Sequence, residues 1–404
     1  MFCQLDTLRR CFPSSIRKTL NELPTTLDET YERTLEGIPK EKRQHAHQLF
    51  QCLVVVVRPL RVEELAEIFA IEFDLDGHNV MEDWRPENPE EAILSACSTL
   101  IAVNDDNDGS KIAQFSHFSV REFLTSGRLR TSKVGDIRDY HLSLDAAHIL
   151  LARACLAVLL QLDEKMDKMR LAKFPLAFYA ARHWFDHARH DDVASQVQDA
   201  MEPLFNPTKP YLASWVWIHD VDQRNDRESV DTLTDHPSLP GATALYYAVS
   251  YGLCRPAKYL ISTHGQDVNA KCGTHGTPLH AASTNGHVGA VALLLEHGAD
   301  VNMTNHRART PLCEAFDGRH LEVMRSLLEH RAALEVQHNF FGPLTHSASS
   351  SGQAEIVRLL LQHNADVNAT ALYNYTPLHW ASTSGHANVA PSPPRARGRH
   401  QRPI

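Results

Sequence analysis

The second half of the chain repeats a pattern every 33 or 34 residues, from about residue 241 to residue 389. Its clearest unit, GTPLHAASTNGHVGAVALLLEHGADVN, runs from Gly276 to Asn302. A period of this kind predicts small modules stacked in a row, in which each module contacts only its neighbours. Three series of landmark residues keep one register through the array: Tyr246, His280, Cys313, His346 and His379; Gly252, Gly286, Arg319, Gly352 and Gly385; and Gly265, Gly298, Arg331 and Asn364.

The residue types within one unit predict two helices that end in tight turns. Thr277 can cap the first helix through its hydroxyl, and Pro278 suits the next position, where a missing N–H costs nothing. Gly286 can adopt the left-handed conformation that ends this helix. The unit resembles the ankyrin repeat, whose period is 33 residues and whose signature is TPLHxA. The resemblance implies a mostly α-helical solenoid that binds another protein.

The resemblance also assigns structural roles within the array. It implies that His280, His346 and His379 each bridge a threonine hydroxyl and the neighbouring repeat. A metal site made of periodic histidines is the alternative, and we disfavour it because stacked repeats would hold the histidines too far apart to share one ion. The predicted structural motif comprises Thr277, Pro278, His280, Gly286, Thr310, Pro311, His346, Gly352, Thr376, Pro377, His379 and Gly385.

The array departs from its own pattern in three units. The third unit has Cys313 in place of histidine, and it has arginines at 319 and 331 where glycine or asparagine is expected. The fourth unit reads GPLTHSA, and the fifth breaks after HANV into a tail rich in proline and arginine. We therefore expect four repeats and a truncated fifth over residues 241–389. The tail at 391–404 is expected to be disordered, with a nuclear-import or nucleic-acid patch as the alternative.

Partner binding is predicted at the hairpin tips of the array, because ankyrin proteins typically bind through their tips and inner helix surface. The tips are predicted at residues 270–275, 303–308, 337–341 and 370–374. Large side chains at the tips would serve as binding anchors; the alternative is that some of them cover the core beneath the hairpins. The candidate partner-binding residues are Lys271, His275, Asn305, His306, Arg307, His338, Phe340, Phe341, Leu372 and Tyr373.

The first half shows no such period and instead mixes helices with one hairpin. Residues 40–57 and 59–71 have the apolar patterns of two helices, and a third helix is predicted at 90–99. Two strand-like runs, LIAVN and KIAQF, then flank an acidic turn, and SHFSVREFLTS predicts a helix after them. This order resembles a winged-helix domain, which we place at residues 40–130. The acidic turn does not fit a calcium loop, because Phe115 stands where a glutamate is required.

The order of motifs along the chain resembles that of fungal NACHT–ankyrin proteins, which are NOD-like signalling proteins. The resemblance rests on LPTTLDETYERTL, RPLRVEELAEIFAIEFD, FSHFSVREFL, FPLAFYAARHW and SWVWIHD followed by ankyrin repeats. It implies that residues 1–39 are the helical end of a NACHT-like region, that 131–220 form a helical block and that 221–240 form a linker. It also implies partner sensing through the repeats and a nucleotide-driven switch linked to non-self recognition.

The phosphate-binding signature GxxxxGK[ST] does not occur in the sequence, so we predict no cofactor, no metal and no enzyme activity in this chain. A nucleotide-dependent switch remains the alternative if a NACHT NTPase lies upstream. His117 resembles a winged-helix histidine that touches ADP in intact relatives. We favour a helix-capping or packing role for it, because no nucleotide pocket is evident.

A DNA-binding role for the winged helix is a second alternative. The helix after the hairpin carries Arg121, but it also carries Glu122, and Phe118, Phe123 and Leu124 are expected to face a core. Reading bases usually needs several basic or amide side chains on one face of a helix. The sequence therefore disfavours DNA binding.

A zinc site is conceivable at His183 and His187, which stand four residues apart on a predicted helix. No further ligand is evident, and the catalytic glutamate that accompanies such a pair in metalloproteases is missing. We predict instead that these histidines belong to an exposed polar face.

The composition fits a protein of a reducing compartment. A net charge of -9 argues against coating nucleic acid or an anionic membrane, and the eight cysteines are scattered without a CxxC pair. No apolar run approaches the roughly 20 residues that a membrane helix needs. We predict a mostly α-helical cytoplasmic protein that binds another protein, with no membrane contact, nucleic acid disfavoured as a partner, and self-association left open.

Overall fold

The computed structural model describes residues 26–74, 77–106, 108–130, 135–189, 191–220, 233–237, 240–334, 337–339 and 342–389. The chain divides into two compact units, residues 1–240 and 241–404. Residues 1–25, most of the predicted linker and the predicted tail at 391–404 lie outside the described residues. None of the helices in the described part of the chain combines the length and the hydrophobicity that a membrane span requires.

The first unit contains a winged helix, as the sequence predicted. Three strands form its sheet, with β5 (Lys111–Phe115) between β1 (Leu60–Arg61) and β4 (Ile101–Asp105), and the antiparallel pair of β4 and β5 is the wing. Strand β1 joins this pair through Leu60, opposite Ala113. The elements are α1 (Leu27–Glu36), α2 (Arg43–Val55), β1 (Leu60–Arg61), α3 (Val62–Ala66), β2 (Ile71–Asp74), β3 (Gly77–Val80), α4 (Pro89–Cys97), β4 (Ile101–Asp105), β5 (Lys111–Phe115) and α5 (Phe118–Thr125).

The prediction of one helix through residue 71 is wrong. Helix α3 ends at Ala66, a 3-10 turn covers Glu67–Ala70, and strands β2 and β3 then form a separate antiparallel hairpin. The carboxylate of Glu67 is bound by the guanidinium of Arg85, with 2.6 Å between Oε1 and Nη2. Since Glu67 is buried, this ion pair fastens the loop after the hairpin against the end of the helix.

A block of helices completes the first unit. Trp184 and Trp215 form the centre of its core, with ring centroids 5.7 Å apart, and the indole N–H of Trp215 donates to the carbonyl of Ala181. Both tryptophans are at most 1% exposed. The helices are α6 (Gly127–Arg130), α7 (Gly135–Arg138), α8 (Leu144–Leu159), α9 (Lys168–Leu171), α10 (Ala177–Ala188), α11 (Asp191–Gln196), α12 (Gln198–Phe205) and α13 (Tyr211–Ile218).

The second unit is a stack of helix pairs at the spacing that the sequence predicted. Four pairs are followed by α22 (Pro377–Thr383) and a 3-10 turn at Ala387–Val389, which stands where a second helix of the fifth unit would begin. A short hairpin of β6 (Gln337–Asn339) and β7 (Gly342–Pro343) connects the third pair to the fourth. The elements are α14 (Ala244–Ser250), α15 (Cys254–His264), α16 (Pro278–Thr284), α17 (Val288–Glu296), α18 (Pro311–Asp317), α19 (Leu321–Glu329), β6 (Gln337–Asn339), β7 (Gly342–Pro343), α20 (Leu344–Ser350), α21 (Ala354–Gln362) and α22 (Pro377–Thr383).

Candidate protein-interaction surface

The ends of the first helices share one backbone conformation, whatever residue stands there. Four glycines have φ values between 71° and 78°, and Arg319, which replaces glycine in the third repeat, has a φ of 58°. The ends of the second helices behave alike: Gly298 has a φ of 84°, and Arg331 and Asn364 have φ values of 65° and 69°. A left-handed backbone costs a side-chain-bearing residue about 1–2 kcal/mol. Stacking therefore fixes the turn even where the sequence opposes it.

His280 bridges two repeats, as the resemblance implied. Its Nδ1 lies 2.8 Å from the hydroxyl of Thr277, and its Nε2 lies 2.9 Å from the carbonyl oxygen of Arg309 in the next repeat. The imidazole is fully buried, and burial lowers its pKa, which favours the neutral form. The neutral ring therefore has both nitrogens occupied and holds two successive hairpins together.

The same bridge persists in the scrambled fourth repeat. Nε2 of His346 lies 3.0 Å from the carbonyl oxygen of Ala369 and 3.2 Å from that of Tyr375. Its threonine partner is Thr345, the preceding residue, at 3.4 Å. In the fifth unit, His379 contacts the hydroxyl of Thr376 at 2.8 Å, but its ring is exposed. The threonine contact is thus present in all three histidine units, and the bridge is seen in two.

A second histidine series was missed by sequence reasoning. His287 and His320 lie at the start of the second helices, and their Nε2 atoms lie 3.0 Å from the carbonyl oxygens of Ser250 and Thr284 in the preceding repeats. Each ring occupies the space beside a glycine that ends a first helix. A Cβ atom at Gly286 would lie 2.4 Å from Nδ1 of His320. These glycines are therefore required by packing as well as by their φ angle.

The pairing of a glycine with a histidine of the next repeat is absent at the third repeat, where both residues are replaced. Where Arg319 replaces the glycine, the next repeat carries Gln353 in place of histidine. In the following step the pairing returns, because His386 lies against Gly352. The glycine and the histidine thus change together within this one chain. The histidine series could have been found from the 33-residue period, since it has the same spacing as the glycine series.

The tip at residues 303–308 is held in place by hydrogen bonds of the buried Asn305 side chain. This side chain is only 9% exposed. Its amide nitrogen donates to the carbonyl of His275 at 3.0 Å, and its oxygen accepts from the backbone N–H groups of Arg307 and Arg309. The first bond ties this tip to the preceding one. Among the predicted partner-binding residues, Asn305 therefore supports the tip, whereas its neighbours are placed to make contacts.

Exposed basic side chains stand around this support. Lys271, His306 and Arg307 are exposed, and His275 is half-buried. Arg309 is different, because its guanidinium is bound to Glu314 and Asp317 of helix α18. Burial opposes the charge of Arg309, but these two acids outweigh it and hold its pKa above the ordinary value. Two acids of the third repeat are thus engaged by Arg309.

The tip at residues 370–374 is aromatic instead of basic. Tyr373 is 74% exposed and has a left-handed φ of 60°, within the 3-10 turn that Leu372 begins. Its ring lies 6.2 Å from that of Tyr375, which stacks on His379 at 5.4 Å. Tyr373 therefore projects from a small aromatic cluster.

The remaining tip is only partly described. His338 lies in strand β6, and Phe340 and Phe341 lie outside the described residues. Their part in partner binding stays a prediction.

His117 caps helix α5, which confirms the favoured interpretation of this residue. Its Nδ1 accepts a hydrogen bond from the backbone N–H of Ser119 at 3.3 Å. Phe118, however, is 70% exposed, so its expected place in a core is wrong, while Phe123 and Leu124 are buried as expected. Phe118 begins the helix, and its ring is tilted against that of His117 with the centroids 4.3 Å apart.

The histidines of helix α10 do not share one exposed face. His187 is completely buried, so the prediction of an exposed polar face is wrong for it. Its Nε2 lies 3.0 Å from the hydroxyl of Tyr179, and its Nδ1 lies 2.9 Å from Nδ1 of His148. His183 is half-buried and contacts Asp186 at 3.1 Å. Over the described part of the chain, no three potential metal ligands come together.

Family comparisons agree with both architectures. The family model for ankyrin repeats (three copies) matches residues 218–305, 245–338, 300–371 and 339–391. The model for the GPI inositol-deacylase winged helix domain matches residues 31–134. A curated relative, azaphilone pigments biosynthesis cluster protein L of Monascus ruber, is 29% identical over 291 residues. That alignment covers 69% of this chain and 60% of the relative, so the chain spans less than two thirds of the relative's length. The chain thus carries a winged helix domain of the GPI inositol-deacylase type and a set of ankyrin repeats.

Proposed function

We propose that this protein acts by binding another protein through the tips of its ankyrin repeats, and that it catalyses no reaction of its own. The observation that carries the proposal is the construction of the tips. The buried side chain of Asn305 holds two neighbouring tips together through its hydrogen bond to His275, and the side chains beside it are exposed. Preorganised loops lose little conformational entropy on binding, which is what a recognition surface requires.

The chemistry of the surface indicates what a partner would offer. The first two tips carry Lys271, His306 and Arg307, whereas the last carries Tyr373. A partner with acidic groups near one end of its binding segment and an apolar anchor near the other would complement both parts. Tyrosine and arginine are also the residue types enriched among interface residues that dominate affinity.

More specifically, we propose that this chain belongs to a NOD-like signalling protein. It is supported by the order of a winged helix followed by ankyrin repeats and by the resemblance to fungal NACHT–ankyrin proteins. In this setting the repeats would sense a cytoplasmic partner of non-self origin and pass the signal on. The name of the Monascus ruber relative associates that protein with an azaphilone pigment biosynthesis cluster. A binding protein that serves such a cluster is compatible with the same surface.

Two alternatives make distinct physical demands. A nucleotide switch requires ATP or ADP to bind at micromolar concentration, and we expect no such binding by this chain. A DNA-binding winged helix requires a basic helix, but α5 carries Arg121 beside Glu122, and α4, which precedes the wing, carries Glu90 and Glu91 in its first turn. We expect no salt-dependent binding to duplex DNA.

The test is quantitative capture of partner proteins from cell extract by the full chain and by a variant with Lys271→Glu, Arg307→Glu and Tyr373→Ala. We expect the variant to lose specific partners by more than tenfold, while its thermal midpoint stays within about 2 °C, because exposed side chains contribute little to stability. Arg358→Ala, an exposed change on helix α21, is the matched control and should retain capture. Equal capture by the triple variant and the wild type would reject the tips as the binding surface.

A further inference from the structure

A groove of about 540 Å³ lies on the first unit, beside the winged-helix core. It is lined by Lys42, His45, Phe69, Trp84, Pro86 and the residues of helix α4 that face it. Its walls come from the start of α2 and the 3-10 turn before it, the 3-10 turn at Glu67–Ala70, the loop after β3, and α4. The groove belongs to no site described so far, and no part of it lies on the ankyrin repeats.

Trp84 stands at this groove with 51% of its surface exposed. The loop that carries it is firmly anchored on both sides. Before it, the N–H of Met81 donates to the carbonyl of Ala70 at 2.7 Å. After it, Arg85 binds the buried carboxylate of Glu67 through two nitrogens and lies over the ring of Phe174 at 5.1 Å. A large indole is thus held at the surface by a rigid frame, which leaves apolar area for a partner to cover.

The other walls of the groove present flat rings. His45 meets Phe69 edge-on, with ring centroids 5.2 Å apart and an angle of 78° between their planes. Pro86 follows two residues after Trp84, and Ala92 and Ala96 form a low wall on helix α4. A surface of rings and short side chains suits a thin, extended ligand better than a thick helix.

The charges beside the groove are mostly negative. Glu82, Asp83, Glu87 and Glu91 are exposed on the loop and on the first turn of α4. Two basic groups are near: Lys42 lines the groove and donates its ammonium to the carbonyl of Ser95, another lining residue, at 3.2 Å, and Arg85 is bound to Glu67. These four carboxylates outnumber the ammonium of Lys42, so an incoming cation would meet a predominantly acidic rim around an aromatic floor.

We propose that this groove docks a proline-rich, arginine-bearing segment of a partner protein. Proline-rich segments adopt the extended polyproline II helix, which docks into aromatic-lined grooves at low entropic cost. Arginine can stack on the face of an indole while its charge is met by the acidic rim. The proposal is independent of the ankyrin tips, because it concerns a different surface and a different class of peptide.

The experiment measures fluorescence anisotropy of a labelled synthetic peptide, PPPRPPPRPP, titrated with the full chain. We expect saturable binding that Trp84→Ala weakens about 30-fold, the effect typical of a dominant interface residue. Phe118→Ala removes a 70% exposed aromatic ring from helix α5 and is the matched control, which should bind as the wild type does. Circular dichroism of each variant verifies that its helices are retained.

A second variant tests the acidic rim without touching the aromatic floor. Asp83→Asn combined with Glu91→Gln should weaken binding several-fold and reduce its dependence on salt, since exposed charges are screened. The proposal is overturned if the peptide fails to saturate at roughly 1 mM protein, a concentration that corresponds to very weak binding. Equal binding by Trp84→Ala, or equal binding of a peptide with glutamate in place of both arginines, would overturn it as well.

Discussion

The second and third repeats have the same backbone but differ in the residues that the repeat pattern favours. The second has His280, Gly286 and Gly298, whereas the third has Cys313, Arg319 and Arg331 at the equivalent positions. Where His280 bridges to the next repeat, Cys313 makes a contact of 3.4 Å within its own repeat, between its sulfur and the hydroxyl of Thr310. The third repeat keeps its left-handed turns at the expense of strain. The contrast teaches that stacking determines the backbone of a repeat, and that the favoured residues reduce the strain in its left-handed turns.

The largest effect should come from adding a methyl group at Gly286. Gly286→Ala places a Cβ 2.4 Å from His320 in a backbone with a φ of 78°. Left-handed strain and overpacking together should lower the free energy of unfolding by about 3 kcal/mol, measured by urea denaturation. Gly298→Ala is the control, because its φ is similar but no atom lies within 4 Å of the added Cβ. It should lose only about 1 kcal/mol; equal losses at both glycines would show that the histidine contact is unimportant.

Removal of the bridging imidazole should have the next largest effect. His280→Ala deletes a buried ring and leaves the carbonyl of Arg309 without this donor, so we expect a loss of about 2–3 kcal/mol in unfolding free energy. His379→Ala is the matched change in the fifth unit, where the ring is exposed, and it should cost less than about 1 kcal/mol. Similar losses for the two variants would contradict a role for burial and bridging.

Acid should weaken the array through these same histidines. Burial lowers the pKa of both His280 and His287 from the ordinary value of 6.5. The unfolded chain therefore binds protons first, so their contribution is complete above pH 6.5 and is lost as the pH falls through the folded-state pKa. The urea midpoint should decrease over this window, and it should decrease less steeply in His280→Ala. A midpoint of the variant that follows the wild type at every pH would count against this account.

The smallest effect is expected where the third repeat is strained. Arg319→Gly removes a side chain from a backbone with a φ of 58°, so it should raise the free energy of unfolding by about 1 kcal/mol. In the first, second and fourth repeats a histidine packs against the glycine at this position, but here the equivalent residue is Gln353. Arg331→Gly tests the same strain at the end of the second helix, and Arg325→Gly, within a helix, should instead be destabilising. A loss of stability in Arg319→Gly would show that its side chain has a compensating contact.

The sequence predicted the array well because its signals are local and recur. Caps such as Thr277 and turns such as Gly286 lie within a few residues of the helices they bound, and the 33-residue period tests each assignment several times. The winged helix was predictable for a similar reason, since its wing is formed by two adjacent strands.

The failures at residues 67–80 and at His187 depend on contacts between distant residues. The hairpin of β2 and β3 follows a helix that ends early, and Glu67 there is held by Arg85, 18 residues away. The burial of His187 depends on its contact with His148, 39 residues earlier. Histidine spacing along one helix could not reveal that partner. The groove at Trp84 is likewise assembled from four separate segments, so its aromatic floor could not be read from any one of them.

The binding role of the repeat tips is tested most directly by hydrogen–deuterium exchange of the full chain with and without a captured partner. Our account predicts slower exchange at residues 303–308 and 370–374 in the complex, with little change at the backbone of helix α21. Protection confined to residues 26–220, with unaltered exchange at both tips, would contradict it.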